Sequence, residues 1–299
     1  MAVLEGFMKG RVIQHIADQY VVEVENKTYW CKARGKFRIQ EEKPVVGDLV
    51  EVRLEEGMHD NVIEQIYPRK NYSKRPKMSN LDQLIFVVSS KMPKPDLFML
   101  DKQLVFASFL GMDAVIVVNK QDLDEAKSYQ EIKKVYEPIG YPVMGTNAKL
   151  GEGKEELKQR LEGKINAFSG NSGVGKSTLL NCLFKKELSK EGVVSKKNKK
   201  GKNTTTAISL YELQPNTYIA DTPGFSTFSI EEIPAEELDQ YFIEFCEYLP
   251  FCEYAGCNHI KEEKCGVKKA VEHGKIADSR YEHYKTLYLE LKEKEEHRW

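Results

Sequence analysis

The stretch "NAFSGNSGVGKSTLLNCLF", residues 166–184, holds an apolar segment, a glycine-rich turn and a second apolar segment. This order predicts a strand, a loop and a helix. The loop "GNSGVGKS" at 170–177 matches the pattern G-x-x-x-x-G-K-S/T in full, and a strand-to-helix context is what supports such a match. The alternative, a glycine-rich turn without a ligand, is disfavoured by that context. The stretch therefore predicts a phosphate-binding loop within an α/β fold.

The chemistry of this loop predicts a role for each of its residues. Glycines let backbone N–H groups surround phosphate oxygens. Lys176 brings a cation to the β- and γ-phosphates, and Ser177 offers a hydroxyl to Mg²⁺. The predicted nucleotide-binding residues of the loop are Gly170, Asn171, Ser172, Gly173, Val174, Gly175, Lys176, Ser177 and Thr178.

Two segments after the loop predict the rest of a magnesium site. "DTPG" at 221–224 ends an apolar strand pattern. Asp221 is predicted to hold Mg²⁺ through water, and the N–H of Gly224 is predicted to sense a γ-phosphate. "TTT" at 204–206 lies between, and Thr205 or Thr206 is expected to reach Mg²⁺, although a plain polar loop remains the alternative for each threonine. Lys176, Thr205 and Gly224 are the predicted catalytic residues.

Two segments before the loop predict the pocket for a base. Asn119, Lys120 and Asp122 belong to "NKQD", which directly follows the apolar run "DAVIVV". The Asp122 carboxylate can accept hydrogen bonds from guanine N1–H and the N2 amine, whereas adenine offers neither donor. "TNAK" at 146–149 follows the next predicted strand, and the backbone N–H of Ala148, beside Asn147, is expected to meet guanine O6. Together these segments predict a guanine-specific site.

The order of these segments along the chain is unusual. The base-binding segments come first, and the phosphate loop, the threonines and "DTPG" follow. We interpret the chain as a circularly permuted GTPase. Permutation is tolerated because domain termini usually lie close together at the surface. In this order the segment after "DTPG" leads directly into the C-terminal part of the chain, so the nucleotide state can be coupled to that part.

The regions on either side of the predicted GTPase differ from it. Residues 1–67 show about five short strand patterns without a helix, which is typical of a small OB-type β-barrel. Residues 68–80 are rich in lysine and arginine and are predicted to form a basic linker. Residues 68–233 alternate strand and helix patterns, which indicates a mostly parallel sheet with crossover helices. Residues 234–299, beginning with "PAEELDQYFIEFCEYL", are predicted to form a helical domain.

Four residues near the C-terminus have the spacing of a metal site, Cys252-x4-Cys257-x-His259-x5-Cys265. Three thiolates and one imidazole suit a closed, tetrahedral and therefore structural Zn²⁺ site. The alternative is a set of reduced or buried cysteines without metal. Cys246 lies on an apolar pattern and is predicted to be in the core. His273, His283 and His297 are predicted to be surface residues.

Basic residues are concentrated although the net charge of the 299-residue chain is −1. Lys32, Arg34, Lys36 and Arg38 alternate at period two, so an extended segment would present them on one face, as either a nucleic-acid contact or a solvated edge. Lys74, Arg75, Lys196 and Lys197 lie in two further basic segments, for which solvated loops are the alternative. No apolar run approaches the length of a membrane span, and we expect a cytoplasmic monomer.

The three regions together resemble the RsgA/YjeQ family of small-ribosomal-subunit-dependent GTPases, over essentially the whole chain. The resemblance rests on "GNSGVGKS", "NKQD", "DTPGF", the threonines and the cysteine–histidine spacing. It implies GTP hydrolysis stimulated by the small ribosomal subunit, with a role in late maturation of that subunit and contact with its rRNA. In this interpretation the GTP state favours binding, and hydrolysis to GDP favours release.

Two positions bear on catalysis. The family usually has a histidine at the position of Asn203, and asparagine cannot act as an acid or a base. Phe225 follows Gly224 where Ras-like enzymes use a glutamine to orient water, so hydrolysis by the protein alone is expected to be slow. The alternative function is an RNA-binding module with a static nucleotide, or a permuted GTPase with another partner. Stimulated GTP turnover would distinguish the ribosome-dependent GTPase from the first alternative. Selective co-sedimentation with the small subunit would distinguish it from the second.

Overall fold

The computed structural model describes residues 7–35, 37, 42–54, 61–184, 208–221 and 229–297, with Asp221 described by its backbone. These residues form two compact units. The first unit draws on residues 1–85, 148–170 and 175–226, and the second on residues 86–147, 171–174 and 227–299. The predicted domain boundaries at 67/68 and 233/234 differ from this division and remain a prediction.

The strands are β1 Phe7–Ile16, β2 Gln19–Val24, β3 Lys27–Ala33, β4 Leu49–Arg53, β5 Val62–Ile66, β6 Tyr72–Lys74, β7 Lys77–Ser79, β8 Gln83–Ser89, β9 Asp113–Asn119, β10 Val143–Thr146, β11 Ile165–Ser169, β12 Ser209–Gln214 and β13 Thr217–Asp221. The α-helices are α1 Leu97–Phe109, α2 Lys127–Tyr136, α3 Lys154–Leu161, α4 Lys176–Leu183, α5 Gly266–Glu272 and α6 Asp278–Glu296. Short 3₁₀ helices cover Gln121–Leu123, Ala235–Tyr241 and Leu249–Phe251.

The first five strands close into a barrel. They are hydrogen-bonded in the order β1-β2-β3-β5-β4, and β4 pairs back onto β1. The alternation of apolar and polar residues along these strands places one set of side chains inside. The buried residues that form this core are Val12, Tyr20, Val22, Val24, Cys31, Phe37, Val50, Val52 and Ile63. The predicted OB-type barrel is confirmed.

The condition for a face of alternating basic residues, an extended segment, is not met from Arg34 to Phe37. Strand β3 ends at Ala33, and the backbone N–H of Phe37 donates to the carbonyl of Arg34 at 3.1 Å, which makes a turn. The Arg34 guanidinium pairs with Glu64. A turn cannot keep the period-two alternation of a strand. Lys32 remains exposed, while Lys36 and Arg38 lie outside the described residues.

The basic segment 68–80 contains a hairpin formed by β6 and β7. The buried carboxylate of Asp48 holds this segment to the barrel. It accepts two hydrogen bonds from Arg69, at 2.7 and 2.8 Å, and one from the Ser79 hydroxyl at 2.6 Å. The Arg69 guanidinium is thereby occupied within the fold. The sequence showed the charge of this segment but gave no sign that a barrel aspartate would order it.

In the first unit, the barrel continues into strands of the predicted GTPase region. Strand β12 pairs antiparallel with β1 and with β13, and β13 pairs in parallel with β11. In the second unit, β10 pairs in parallel with β9. Helix α1 begins where Asp96 accepts a hydrogen bond from the N–H of Met99 at 2.9 Å. The predicted alternation of strands and helices is confirmed.

The predicted helical domain does not begin with an α-helix over "PAEELDQYFIEFCEYL". The segment consists of the 3₁₀ helix Ala235–Tyr241, turns, and the 3₁₀ helix that starts at Leu249. Phe242 and Phe245 are fully buried and pack against Tyr284. Cys246, predicted to be in the core, is exposed. Tertiary packing of the two phenylalanines here overrides local helix propensity.

Candidate nucleotide and metal sites

Asn119 ties the predicted base pocket to the phosphate loop. Its amide Nδ2 donates to the carbonyl of Val174 at 2.9 Å, and its Oδ1 accepts from the Thr146 hydroxyl at 3.2 Å. Asn119 is 1% exposed, so it fixes its neighbours from inside the fold. Since strand β9 ends at Asn119, the side chain emerges at the carboxyl edge of the sheet, where α/β proteins bind ligands.

Lys120 makes a second connection to the loop. Its backbone has a left-handed φ of 64°, and its ammonium donates to the carbonyls of Gly173 at 2.6 Å and Met92 at 2.5 Å. The Ser90 hydroxyl donates to the Lys120 carbonyl at 2.5 Å. The roles of Ser90 and Met92 were not predicted. Met92 acts through its carbonyl oxygen, which every residue has, and Ser90 donates its hydroxyl to the Lys120 carbonyl, so neither contact depends on a residue pattern that the sequence shows.

The remaining residues that the sequence predicts to recognise the base differ in exposure. Asp122 lies in a 3₁₀ helix directly after Lys120 and is exposed to solvent. Asn147 and Ala148 are buried, at 3% and 8% exposure. Asp122 is thus an accessible carboxylate on a chain segment whose start is fixed by Asn119 and Lys120.

The phosphate loop has the backbone that its glycines predict. It follows the buried strand β11 and leads into α4. Gly173 and Gly175 have φ of 82° and 99°, values that side-chain-bearing residues rarely adopt. Asn171, Ser172 and Gly173 are exposed, as are Ser177 and Thr178, while Val174 is buried. The loop therefore presents its polar side to solvent and anchors itself through Val174.

Lys176 begins helix α4. Its ammonium donates a hydrogen bond to the Gly170 carbonyl at the start of the loop. Burial lowers the pKa of Lys176, because a charged amine loses hydration inside the protein. An anion beside this ammonium would compensate for that lost hydration.

The predicted magnesium ligands are only partly described. Ser177 lies in the first turn of α4, and Asp221 ends β13 one residue beyond the pair Ala167–Ala220 in the parallel β11–β13 register. The ends of two adjacent parallel strands thus bring the loop and Asp221 to the same edge. Thr204, Thr205, Thr206 and Gly224 lie outside the described residues, as do Asn203, Phe225, Lys196 and Lys197.

The three cysteines and the histidine form one cluster. The sulfur atoms of Cys252, Cys257 and Cys265 and a ring nitrogen of His259 all lie within 4.8 Å of one another. His259 Nδ1 is 3.6 Å from Cys252 Sγ and 3.2 Å from Cys265 Sγ. A tetrahedral zinc site with ordinary bond lengths has donor separations of about 3.5 to 3.8 Å. The donor set and its size therefore fit a tetrahedral metal ion.

Groups around the cluster orient its donors. The N–H of Gly266 donates to Cys252 Sγ and the N–H of Lys268 to Cys265 Sγ, both at 3.4 Å. A side chain at Gly266 would place its Cβ 2.3 Å from the Tyr248 carbonyl, so only glycine permits this approach. N–H donors stabilise the thiolate form of cysteine that binds metal.

Asp239 is a residue that the sequence analysis missed. Its Oδ2 lies 3.2 Å from Nε2 of His259, the ring nitrogen that faces away from the cysteines. A carboxylate in this position fixes the tautomer and orientation of a metal-binding histidine. Asp239 precedes the four predicted ligands by many residues and lies in the 3₁₀ helix Ala235–Tyr241, which is why the spacing of the ligands did not reveal it.

Replacing Asp239 with asparagine is expected to lower the affinity for metal by about 10- to 100-fold. Competition with a chromophoric chelator measures this affinity in the full-length protein. Glu237→Gln is the matched control, because Glu237 is an exposed carboxylate in the same 3₁₀ helix. Equal affinities for the two variants would show that Asp239 does not support the histidine.

A buried charge network connects α1 with the C-terminal segment. Arg280 is 1% exposed and donates to Glu244 at 2.7 and 2.8 Å and to Asp101 at 2.7 Å. One carboxylate oxygen of Asp101, Oδ1, also accepts a hydrogen bond from the Tyr136 hydroxyl. The other, Oδ2, lies 2.6 Å from Nδ1 of His283. His283, predicted to be a surface residue, is half-buried and paired with Asp101, with 22% of its side chain exposed. Burial alone would lower the pKa of Arg280, because it disfavours the charged form. Attraction to the Asp101 and Glu244 carboxylates outweighs burial, so the pKa of Arg280 is raised.

The candidate RNA contacts are distributed over the first unit. Lys74 and Arg75 are exposed at the turn of the β6–β7 hairpin. Lys32 is exposed on β3, and Arg34 is exposed but paired with Glu64. The turn of the hairpin is therefore the most concentrated basic feature among the described candidates. In the described part of the chain, no helix has the length and apolar character that crossing a bilayer requires.

Family models match most of the chain. The model described as the RsgA N-terminal domain matches residues 9–60, and the model described as the RsgA GTPase matches residues 66–231. The second match alone covers more than half of the chain. The two matches adjoin near the end of the barrel.

Curated relatives match over nearly their whole length. The protein named "Small ribosomal subunit biogenesis GTPase RsgA" from Agathobacter rectalis is 41% identical over 302 residues, covering 97% of this chain and 100% of the relative. The protein of the same name from Thermotoga maritima is 42% identical over 288 residues, covering 95% and 96%.

Solved structures show the same architecture. YjeQ from Thermotoga maritima matches with a TM-score of 0.83 and 40% identity, covering 96% of this chain and 99% of that structure. YloQ, described as a circularly permuted GTPase, matches with a TM-score of 0.82 and 29% identity, covering 98% of each chain. The permuted order inferred from the motifs is confirmed.

Proposed function

The chain belongs to the RsgA family of GTPases, and from that premise we propose that it hydrolyses GTP in the biogenesis of the small ribosomal subunit. The observation that carries the proposal is the pair of connections from Asn119 and Lys120 to the carbonyls of Val174 and Gly173. They join a guanine-type tetrad to a phosphate loop, which a plain glycine-rich turn would not need. The role in biogenesis of the small ribosomal subunit is inferred from the names of the relatives.

The base pocket is proposed to recognise guanine through Asp122. Its carboxylate would accept from N1–H and the N2 amine of the base, while the N–H of Ala148, beside Asn147, would donate to O6. Adenine would leave the carboxylate without donors, and an unmade hydrogen bond to a charged group is costly. Asn119 and Lys120 would act mainly by holding this segment against the phosphate loop.

Replacing Asp122 with alanine is expected to weaken GTP binding by about 10- to 150-fold, the value of hydrogen bonds to a charged group. Binding of a fluorescent GTP analogue measures the change, with the adenine analogue as a second ligand. Glu125→Ala is the control, because Glu125 is a nearby carboxylate that is 86% exposed. If GTP binding of the Asp122 variant matches this control, the carboxylate does not contact the base.

The phosphates are proposed to lie in the loop from Gly170 to Thr178. Its backbone N–H groups would donate to the phosphate oxygens, and the Lys176 ammonium would move from the Gly170 carbonyl to the β- and γ-oxygens. Ser177, Asp221 and Thr205 or Thr206 would hold Mg²⁺, which would supply positive charge beside the phosphates. Gly224 would report the γ-phosphate through its N–H, and Lys176, Thr205 and Gly224 form the proposed catalytic set.

Hydrolysis is proposed to be slow in the isolated protein and to be stimulated by the small ribosomal subunit. The support is chemical: Phe225 cannot orient water, and Asn203 cannot exchange a proton. The GTP state would favour binding to the subunit, and hydrolysis would favour release. Contact with rRNA is proposed for the hairpin turn at Lys74 and Arg75, with Lys32 and Arg34 on the barrel and, from the sequence, Lys36, Arg38, Lys196 and Lys197.

The test is GTP hydrolysis by the purified protein with and without purified small ribosomal subunits, and with large subunits as a control. Small subunits alone are expected to raise kcat on the order of tenfold or more, as partner-supplied catalysis does in other GTPases. Lys176→Ala controls for contaminating activity. Equal rates with and without small subunits, alongside intact GTP binding, would contradict the proposal and favour a static nucleotide.

The metal cluster is proposed to hold one structural Zn²⁺ through Cys252, Cys257, His259 and Cys265. Four protein donors fill a tetrahedral site and leave no position for a substrate. The ion would link the ends of a segment of turns and short helices between Cys252 and Cys265. The protein is further proposed to act as a cytoplasmic monomer, with domains at 1–67, 68–233 and 234–299.

A further inference from the structure

Three residues from distant parts of the chain lie in one row of the first unit. Gln14 of β1 is the register partner of Ser209 in β12, and Ser209 is the register partner of Asp221 in β13. Asp221 is the predicted magnesium ligand at the end of β13. Two strand pairings, β1 with β12 and β12 with β13, therefore connect the barrel to the end of β13 where Asp221 lies.

The first step is a side-chain contact as well as a strand pairing. The Gln14 amide Nε2 donates to the Ser209 hydroxyl at 3.0 Å. Ser209 is 6% exposed and Gln14 is half-buried, so the contact is partly shielded from water. The register of β1 shifts between Val12 and Gln14. Such bulges re-aim a side chain and are common beside functional sites.

A second contact keeps the same strands together. The Tyr218 hydroxyl of β13 donates to the Glu23 carboxylate of β2 at 3.2 Å, and the Arg11 guanidinium lies 5.7 Å from the centre of the Tyr218 ring. Burial, together with Glu23, raises the pKa of Tyr218 to about 12, so the phenol remains a donor. The barrel and the β12–β13 pair are thus joined at two places.

We propose that Gln14 is a positioning residue for the magnesium–nucleotide site, and that contacts made by the barrel reach this site along the row Gln14–Ser209–Asp221. The proposal rests on the proposed function, because in it the barrel transmits the effect of a bound small subunit to GTP hydrolysis. Gln14 does not touch the nucleotide; it sets the place of β12 and, through backbone pairing, that of Asp221.

The first test measures Mg²⁺-dependent binding of a fluorescent GTP analogue to the full-length protein. Gln14→Ala is expected to raise the Mg²⁺ concentration for half-maximal binding by about 3- to 10-fold, the net value of one hydrogen bond. Gln65→Ala is the matched control, because Gln65 is an exposed glutamine of the same barrel on a strand that does not pair with β12. The control is expected to behave as wild type.

Two further variants separate positioning from a general loss of structure. Ser209→Ala is expected to give the same shift as Gln14→Ala, and the double variant no larger a shift, because both remove one contact. Gln14→Glu is expected to restore the Mg²⁺ dependence, since a carboxylate accepts from the Ser209 hydroxyl. An unchanged Mg²⁺ dependence of Gln14→Ala, additive effects in the double variant, or failure of Gln14→Glu to restore binding would each overturn the proposal.

The second test adds small ribosomal subunits. The stimulated kcat of Gln14→Ala is expected to fall by a similar factor, while the subunit concentration at half-maximal stimulation stays unchanged. A change in that concentration instead of kcat would overturn the positioning role. If wild type is not stimulated at all, the proposed function fails, and the Mg²⁺ titration of the free protein still decides on Gln14.

Discussion

Replacing Cys265 with serine is expected to release the metal and unfold the segment around residues 252–265. Cys265 is fully buried, caps the N-terminus of helix α5 and accepts a hydrogen bond from the N–H of Lys268 through its sulfur. Structural zinc contributes on the order of 10 kcal/mol of apparent folding free energy in small domains. The loss of one donor from four removes much of that term. Metal content by elemental analysis and thermal unfolding measure the effect, and a chelator added to wild type is expected to reproduce it.

Cys246→Ser is the control for this prediction. Cys246 is an exposed cysteine of the same region and lies outside the four-donor cluster. Its replacement is expected to leave metal content and unfolding unchanged. A Cys265 variant that keeps the wild-type metal content and unfolding midpoint would contradict a structural metal site.

Replacing Arg280 with methionine is expected to lower the free energy of unfolding by about 3 to 5 kcal/mol, the cost of breaking a buried ion pair from one side. Asp101 and Glu244 have side chains that are 0% and 4% exposed. Without Arg280 they would be buried carboxylates that repel each other. Denaturant unfolding followed by circular dichroism measures the change.

Lys285→Met is the control for the arginine, because Lys285 lies on the same helix and makes a partly exposed pair with Glu282. A change of less than about 1 kcal/mol is expected there. Adding Asp101→Asn and Glu244→Gln to the Arg280 variant is expected to recover part of the lost stability, since it removes the uncompensated charges. A small effect of Arg280→Met alone would mean that water enters and hydrates the carboxylates.

The sequence was most informative where one residue type has one use. Glycines with positive φ in the phosphate loop, the donors at Cys252 and His259, and the apolar run before Asn119 all reflect local chemistry. That chemistry does not depend on distant partners. The strands, the permuted order and the composition of the metal cluster were therefore predictable.

The sequence was least informative where a distant residue decides. The apolar spacing of Phe242 and Phe245 fits a helix. In the structure, however, turns rather than an α-helix place both rings against Tyr284. His283 has the polarity of a surface residue and becomes a partner of Asp101 only because α6 packs near α1. Asp239 belongs to the same class, since no spacing rule connects it with His259.

The β6–β7 hairpin has a consequence for encounters with a large partner. A flexible tether of 13 residues would let its ends wander over distances of about 20 Å. Asp48 removes that freedom by fixing Arg69 and Ser79 against the barrel. The entropic cost of ordering this segment is therefore incurred when the chain folds and not when a partner binds. A partner that meets the barrel and the hairpin turn together does not have to order them again, so more of the contact energy remains for affinity.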